Sequence, residues 1–160
     1  MKRSASRGNN MKIHTESEKT HIFNLVKKIG PIDVIYDCGS RDALDGLELA
    51  IETGAKELHV FECNPPSVEV CRSNIKKHKP DGLIVYLNDC AISDKLGTIS
   101  FFPIDVQKTV TTHADGNPGA SSLFQANPEY PNEKYIQNEI TVKTITLDEY
   151  CLTHRPPDLL

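Results

Sequence analysis

The sequence predicts an α/β fold with a mainly parallel sheet and flanking helices. Three apolar runs, beginning at Val34, Glu57 and Leu83, have the composition of buried strands, and each ends in polar residues. Segments with apolar residues at helical spacing separate these runs. Strands that alternate with helices favour β-α-β units with right-handed crossovers, and such units build a parallel sheet.

The composition limits the class of protein. A length of 160 residues fits one domain, and the formal net charge of -4, from 18 basic and 22 acidic residues, predicts neither a nucleic-acid surface nor an anionic-membrane surface. No apolar run approaches the length of a membrane span. Residues 1–12 are basic and poor in apolar residues, so we expect a disordered tail there and a domain over residues 13–160.

The cysteines and histidines predict a cytoplasmic protein without a metal. The chain has five cysteines, an odd number, and no pair has C-x-x-C spacing. This pattern is typical of reduced thiols in the cytoplasm rather than of a disulfide framework. A zinc site needs ligands in short pairs, and the six histidines provide none.

Local signals predict the helices of the first half. Thr15-x-x-Glu18 has the form of a capping box for a helix that ends before Gly30. A second helix runs from Ala43 to Thr53, and a third begins at Asn64, the cap residue, with prolines in its first turn. The predicted buried stripes are Leu44, Leu47, Ala50 and Ile51 in the second helix and Val68, Cys71 and Ile75 in the third.

The second half is less regular. Gly97 to Phe102 and Glu139 to Ile145 are predicted strands. The long loop 113–135 between them is rich in Gly, Pro, Asn and Ser and has no period, which predicts a functional lid or a disordered segment. A second capping box, Thr146-x-x-Glu149, opens a short helix to about Leu152.

The last residues predict an incomplete fold. Asp158 to Leu160 has the pattern of the first residues of a strand, and the sequence stops there. We therefore expect the fold to be cut at the start of its fourth core strand. The chain would then be the amino-terminal part of a longer domain, and inactive alone.

Polar residues at the ends of the predicted strands indicate a nucleotide site. Gly39 follows Asp37 in the turn after the first strand, and Glu62 ends the second strand, where an acid that accepts from a ribose diol belongs. Asp89 ends the third strand and could accept from an adenine amine. Each has a structural alternative, because Gly39 suits any turn, Asp37 could cap the following helix and Asp89 could form an Asx turn.

The glycine pattern distinguishes between cofactors. A dinucleotide fingerprint requires G-x-G-x-x-G, whereas Gly39 is followed by Ser40, Arg41 and Asp42. The Asp42 carboxylate would also repel a pyrophosphate. A ligand with an ammonium and a single carboxylate fits better, since Asp37 or Asp42 could meet the ammonium, and Arg41 or backbone N–H groups the carboxylate. S-adenosylmethionine has this shape.

Four segments then carry a family resemblance. They are Val34-Ile-Tyr-Asp-Cys-Gly-Ser-Arg41, Phe61-Glu-Cys-Asn-Pro65, Asn88-Asp-Cys-Ala-Ile-Ser-Asp94 and Thr144-Ile-Thr-Leu-Asp-Glu-Tyr150. Together they resemble the FkbM-type S-adenosylmethionine-dependent methyltransferases, over approximately residues 34–160. The segment from Asn117 to Phe124 is similar to a loop of one branch of that family. The resemblance implies a Rossmann-like class I methyltransferase fold, S-adenosylmethionine as cofactor, and a small-molecule or sugar hydroxyl as methyl acceptor.

The resemblance also implies the cofactor-binding residues. The turn after the first strand would hold the methionine end, Glu62 the ribose hydroxyls and Asp89 the adenine region. The implied set is Asp37, Cys38, Gly39, Ser40, Arg41, Glu62, Cys63, Asn64, Asp89 and Cys90. Arg41 stands where the family pattern has a second glycine, which leaves the approach of the cofactor carboxylate open.

Other functions and roles remain compatible with the sequence. An NAD(P)-dependent oxidoreductase would share the acid after the second strand, and a non-catalytic nucleotide-binding or interaction module would share the fold. His113 is either a general base or an exposed loop histidine. Ser121 and Ser122 either contact the acceptor or belong to a flexible loop. No cysteine has a paired base, so we name no catalytic residue.

Overall fold

The computed structural model describes residues 16–127, 129 and 133–160. The chain divides into two compact units, Met1–Pro31 and Ile32–Leu160. The predicted tail of residues 1–12, and Thr15 of the first capping box, lie outside the described residues. In the first unit, α1 spans Glu16–Ile29, which confirms the helix predicted to end before Gly30.

The second unit is built on a parallel sheet. Strands β1 (Val34–Cys38), β2 (Glu57–Glu62) and β3 (Ile84–Asp89) lie side by side in that order, and both pairings are parallel. Helix α2 (Leu44–Thr53) connects β1 to β2, and α3 (Pro65–His78) connects β2 to β3. The predicted α/β class, with a mainly parallel sheet and flanking helices, is confirmed.

The buried face of α2 is rotated relative to the predicted face, toward the preceding residue at two of its four positions. Leu47 and Ala50 are buried as expected, but Leu44 and Ile51 are 41% and 55% exposed, so this part of the prediction was wrong. The buried line begins at Ala43 and includes Gly46, both small residues. Because these residues let the helix approach the sheet closely, the line that contains them faces inward and the larger side chains on its flank face outward.

Residues 158–160 lie beside β1, on the edge opposite β2. The Tyr36 N–H donates to the Leu159 carbonyl at 2.9 Å, and the Asp158 N–H donates to the Val34 carbonyl at 2.9 Å. The pairing is parallel, as the Ile35 and Leu159 bridge shows. Residues 158–160, where the sequence predicted the start of a strand, therefore contact β1 through backbone hydrogen bonds on the edge that β2 does not use.

A second, smaller sheet was only partly predicted. It consists of β4 (Ala91–Ile92), β6 (Ile140–Ile145) and β5 (Gly97–Phe101), in that spatial order. β6 is parallel to β4 and antiparallel to β5. The sequence predicted β5 and β6 within one residue of their bounds, but β4 has only two residues and pairs with a segment about fifty positions away, so no local pattern marks it.

The face of the large sheet opposite α2 carries a buried aromatic cluster. Tyr36 and His59 are register partners on β1 and β2, with ring centroids 4.6 Å apart. Tyr150 packs over Tyr36 and Phe61, and its hydroxyl lies 2.8 Å from His59 Nδ1. His59 Nε2 is 3.4 Å from Glu57 Oε2 and makes no hydrogen bond within the described residues.

Tyr150 belongs to α4 (Leu147–Cys151), the short helix that the second capping box predicted. Thr146 Oγ1 accepts a hydrogen bond from the Glu149 N–H at 3.0 Å, which confirms the first half of that motif. The helix therefore begins at a defined residue and presents Tyr150 to the sheet.

Within the described ranges, no helix is both long enough and apolar enough to cross a membrane.

We expect His59 to make the protein less stable as the pH falls below about 6.5, the ordinary pKa of histidine. The side chain is fully buried, and burial lowers the pKa of its imidazole, with the nearby Glu57 opposing this effect. The unfolded chain then binds a proton that the folded chain does not, so stability falls by up to about 1.4 kcal/mol per pH unit. Urea denaturation between about pH 7 and pH 5 measures this slope.

His59→Phe keeps an aromatic ring at this position and removes the titrating group. The stability of the variant should therefore depend less on pH than that of the wild type. His78→Gln removes an exposed histidine of α3 and serves as the matched control, with the wild-type slope expected. If stability depends on pH as steeply in His59→Phe as in the wild type, the assignment of this pH dependence to His59 is contradicted.

Candidate functional site

The turn that joins β1 to α2, residues 39–43, contains three residues in the left-handed region. Their φ angles are 77° for Gly39, 55° for Arg41 and 64° for Ala43. The Gly39 N–H donates to the Phe61 carbonyl at 2.9 Å, which folds the turn back over the end of β2. For a residue other than glycine this conformation costs about 1 kcal/mol, so the surroundings must hold it in place.

Glu62 holds this turn. Its Oε2 accepts the Arg41 backbone N–H at 2.8 Å, and its Oε1 accepts the Asn64 backbone N–H at 2.7 Å. The residue is 8% exposed, so both bonds are shielded from water. Because each carboxylate oxygen has two lone pairs, each retains one acceptor position for a ligand donor. The predicted ribose acid is therefore also the tether of the β1–α2 turn.

Asn64 carries a buried acceptor without a donor. It is the N-cap residue of α3 as predicted, but its side chain makes no capping hydrogen bond, which corrects the expected capping role. One usual partner is missing because Pro66 at the second helical position has no N–H. The residue is 6% exposed, and its Oδ1 has no hydrogen-bond partner among the described residues. Buried acceptors of this kind are normally satisfied by a ligand or by water.

Asp37 packs against the first turn of α2. Its Oδ2 accepts from Ser40 Oγ at 2.5 Å, and the carboxylate also accepts the Gly46 backbone N–H. Burial raises the pKa of the Asp37 carboxyl, these hydrogen bonds oppose the rise, and the charges of Asp45 and Asp42 add to it. Asp37 thus has the helix-capping role that the sequence left open as an alternative.

The N-terminus of α2 is occupied by the chain's own acceptors. Three backbone N–H groups in and before its first turn donate to side chains: Ala43 to Ser40 Oγ, Leu44 to Asp42 Oδ1 and Gly46 to Asp37. Two of these acceptors are carboxylates. A dinucleotide-binding fold uses such N–H groups to bind a pyrophosphate, so an anion has no comparable site here.

The three predicted acids share one face of the sheet. Glu62 and Asp89 are register partners at the ends of β2 and β3, so their side chains leave the sheet on the same side. Asp37 pairs with Val60, two positions before Glu62, and therefore shares that side. Asp89 is exposed, in contrast to Glu62. The carboxyl edge of the sheet thus carries three acids on the side that α2 covers.

The cysteines of the predicted set lie mainly in packing positions. Cys63 is buried in an apolar cluster that includes Ala91, and Cys90 packs against the cluster around Tyr36. Burial raises the pKa of the Cys63 thiol to about 12 and also raises the pKa of Cys90, so both remain protonated near neutral pH. Cys38 is exposed at the end of β1. Across the described ranges, no group of three or more His, Cys, Asp or Glu side chains could hold a metal ion.

Part of the long loop 113–135 lies beside the β1–α2 turn, which the sequence did not predict. A Cβ added to Gly119 would lie 3.8 Å from Arg41 Nη1. Gly119 belongs to a 3₁₀ turn, Pro118–Ala120, which follows the left-handed Asn117. The segment Pro118–Ala120 is therefore a wall next to the candidate site.

Hydrogen bonds to other parts of the second unit hold this wall. Ser121 Oγ accepts the Ile104 N–H at 3.0 Å, and Ser122 pairs with Phe102 in an antiparallel bridge. The serines thus have structural partners, and contact with an acceptor stays a prediction. His113 is 56% exposed, with Nε2 3.8 Å from Glu133 Oε1, which fits the exposed loop histidine better than a positioned base.

Comparison of the chain with protein-family models, with curated proteins and with solved structures found no match. The functional interpretation therefore depends on the geometry at the carboxyl edge of the sheet. That geometry combines a glycine turn, two buried acceptors at the end of β2, and a helix N-terminus without a free anion site.

We expect Gly46→Ala to destabilise the protein by about 1–3 kcal/mol, as overpacking does. Alanine ordinarily stabilises a helix interior by about 1 kcal/mol relative to glycine, so the expected sign is reversed. The reason is that an added Cβ would lie 2.6 Å from Asp37 Oδ2. Urea denaturation of the wild type and the variant measures the difference.

The same substitution in an Asp37→Ala background isolates the cause. If the carboxylate is the obstacle, Gly46→Ala should cost less there than in the wild type. An equal cost in both backgrounds, or a stabilising effect in the wild type, would show that Asp37 does not limit this position.

Proposed function

We propose that the protein is an S-adenosylmethionine-dependent methyltransferase of the FkbM type, with a Rossmann-like class I fold, that methylates a hydroxyl group of a small molecule or sugar. The observation that carries the proposal is the pair of buried acceptors, Glu62 and Asn64 Oδ1, next to the glycine turn after β1. In this proposal, the two hydroxyl groups of a nucleoside diol donate to these acceptors.

The sheet order supports a ligand site at this edge. Residues 158–160 and β2 pair with opposite edges of β1. The chain therefore runs from β1 to β2 on one edge, and a later segment comes back to the other edge. In open α/β sheets, ligands bind outside the carboxyl ends of the strands at such a switch point. This order is compatible with a Rossmann-like fold.

The end of β2 fits unmodified ribose hydroxyls. Glu62 retains acceptor positions on both oxygens, and Asn64 Oδ1 has no donor among the described residues. Hydroxyl groups can donate to these atoms, whereas a phosphate on the ribose would meet a carboxylate there. The residues between 62 and 64 include no basic side chain. The site therefore favours a nucleoside with a free diol over NADP.

The turn after β1 fits a cationic group better than a pyrophosphate. The N-terminus of α2 is capped by Asp37 and Asp42, and Asp45 adds a third negative charge nearby. A ligand ammonium or sulfonium would be attracted by these carboxylates, and it would offset the charge repulsion that helps to raise the pKa of Asp37. This charge distribution supports S-adenosylmethionine over NAD.

S-adenosylmethionine supplies an activated methyl group when bound, so little chemistry is required of the protein beyond positioning. In this proposal, Glu62 and Asn64 fix the nucleoside, the β1–α2 turn fixes the amino-acid end, and the segment around Gly119 limits the access of water. Positioning of this kind can supply much of a rate enhancement. The catalytic residues stay unassigned.

We expect isothermal titration calorimetry to detect binding of S-adenosylhomocysteine, with NAD binding at least about tenfold more weakly because a pyrophosphate lacks partners at α2. Glu62→Gln should weaken S-adenosylhomocysteine by about 10- to 100-fold, since one acceptor becomes a donor. Glu69→Gln, a change at an exposed glutamate of α3, is the matched control and should bind as the wild type does.

Because Glu62 also tethers the turn, its loss could weaken binding indirectly. Titration with the 2′-deoxyribose form of S-adenosylhomocysteine separates the two effects. If Glu62 accepts from the diol, the variant and the deoxyribose ligand remove the same hydrogen bond. The loss of affinity when both changes are combined should then be smaller than the sum of the two single losses. Stronger binding of NAD would favour the oxidoreductase alternative, and binding of neither ligand would contradict the proposal.

A further inference from the structure

Arg41 is held in a conformation that an arginine does not favour. Its φ is 55°, and the Glu62 carboxylate fixes its backbone N–H at 2.8 Å. Glycine would adopt this conformation without the cost of about 1 kcal/mol that a Cβ brings. The side chain at this position is therefore not explained by the turn, which points to a role for the guanidinium itself.

The Arg41 guanidinium has unused hydrogen-bonding capacity. It carries five N–H donors, and the one bond it makes within the described residues is from Nη2 to Asp42 Oδ2 at 3.3 Å. Charge-assisted hydrogen bonds are ordinarily about 2.7–2.9 Å long, so this contact is weak. The side chain is 28% exposed and is thus sheltered but reachable by a ligand.

Gly119 lies on one side of the guanidinium. A Cβ added there would be 3.8 Å from Arg41 Nη1 and 3.9 Å from Asn117 Oδ1. Asn117 Nδ2 donates to the Tyr135 hydroxyl at 2.8 Å, and Ser121 Oγ donates to the Pro118 carbonyl at 2.7 Å. The segment beside Arg41 is therefore fixed by its own bonds, and Gly119 lies within contact range of the guanidinium.

We propose that the Arg41 guanidinium binds a carboxylate group beside the β1–α2 turn. The planar guanidinium matches a carboxylate through two parallel hydrogen bonds. Arg41 is the one basic residue in the stretches 37–46, 62–64, 88–90 and 117–122, so an anionic group at this edge finds its cationic partner there. The inference deepens the proposed function and rests on it. The carboxylate belongs either to the amino-acid end of the cofactor or to an acidic methyl acceptor.

Titration calorimetry with three probes tests this site. S-adenosylhomocysteine carries the amino-acid carboxylate, 5′-methylthioadenosine has the same nucleoside thioether without it, and D-glucuronate, titrated into protein saturated with S-adenosylhomocysteine, represents an acidic acceptor. Arg41→Gly is the main variant, because glycine suits the left-handed backbone and removes only the side chain. Lys77→Gln, at an exposed position of α3, controls for the loss of one positive charge.

We expect Arg41→Gly to weaken a carboxylate-bearing probe by about 10- to 100-fold and to leave 5′-methylthioadenosine unchanged. A loss confined to S-adenosylhomocysteine assigns the cofactor carboxylate, and a loss confined to D-glucuronate assigns the acceptor. Arg41→Lys keeps the charge but not the fork, so it should recover part of the affinity. Lys77→Gln should match the wild type.

Two results would overturn the inference while leaving the proposed function intact. One is unchanged binding of both carboxylate probes in Arg41→Gly. The other is an equal loss for S-adenosylhomocysteine and 5′-methylthioadenosine, which would indicate a structural role. If the wild type binds neither nucleoside, the proposed function fails and takes this inference with it. Thermal denaturation of Arg41→Gly should show no loss of stability, because the substitution relieves the backbone.

Discussion

The two oxygens of the Glu62 carboxylate hold the backbone N–H groups of Arg41 and Asn64, and the rest of the site depends on this arrangement. One bond fixes a turn that contains residues in the left-handed region, and the other fixes the entry to α3. Since the carboxylate is almost fully buried, breaking either bond would leave a charge without its partner in a poorly hydrated place. The end of β2 therefore determines the shape of the turn after β1.

The dependence of the β1–α2 turn on Glu62 also bears on ligand binding. A ligand that donates to the same carboxylate changes the strength of the tether, so occupancy of the site and order in the turn are linked through one group. The charges around the turn support this link: Asp37 and Asp42 cap α2, the buried Glu62 ends β2, and Arg41 is the one basic residue of the stretch 37–46. Such an edge is suited to a ligand that carries charges of both signs on a small amino-acid group.

Local patterns predicted the large sheet and the helices between its strands, because a run of apolar residues ending in a polar turn determines each of these elements by itself. They did not predict which side of α2 faces inward, since Leu44 and Ile51 fit a helical stripe as well as Ala43 and Gly46 do. The difference arises from the close approach of Gly46 to Asp37, a contact between elements.

The candidate site also combines residues that local patterns predict with features that depend on contacts between elements. Asp37, Gly39, Glu62 and Asp89 could be placed at one edge from strand ends alone. The sequence shows that Pro66 removes one usual donor, but it could not show that Asn64 is buried and that its oxygen finds no other donor among the described residues. Nor could it show that Gly119 lies beside Arg41, since the two are separated by most of the chain and no periodic pattern joins them.

The pairing of residues 158–160 with β1 has a consequence for the order in which the molecule forms. Val34 and Asp158 are 124 positions apart, yet their hydrogen bonds cover the edge of β1 that faces away from β2. During synthesis, this edge of β1 stays unpaired until the residues between the two contacting segments have been made. Contacts of such long range slow folding and prolong the exposure of unpaired strands to other chains. An unpaired edge of this kind can pair with another chain, so aggregation through β1 is most favoured before residues 158–160 are in place.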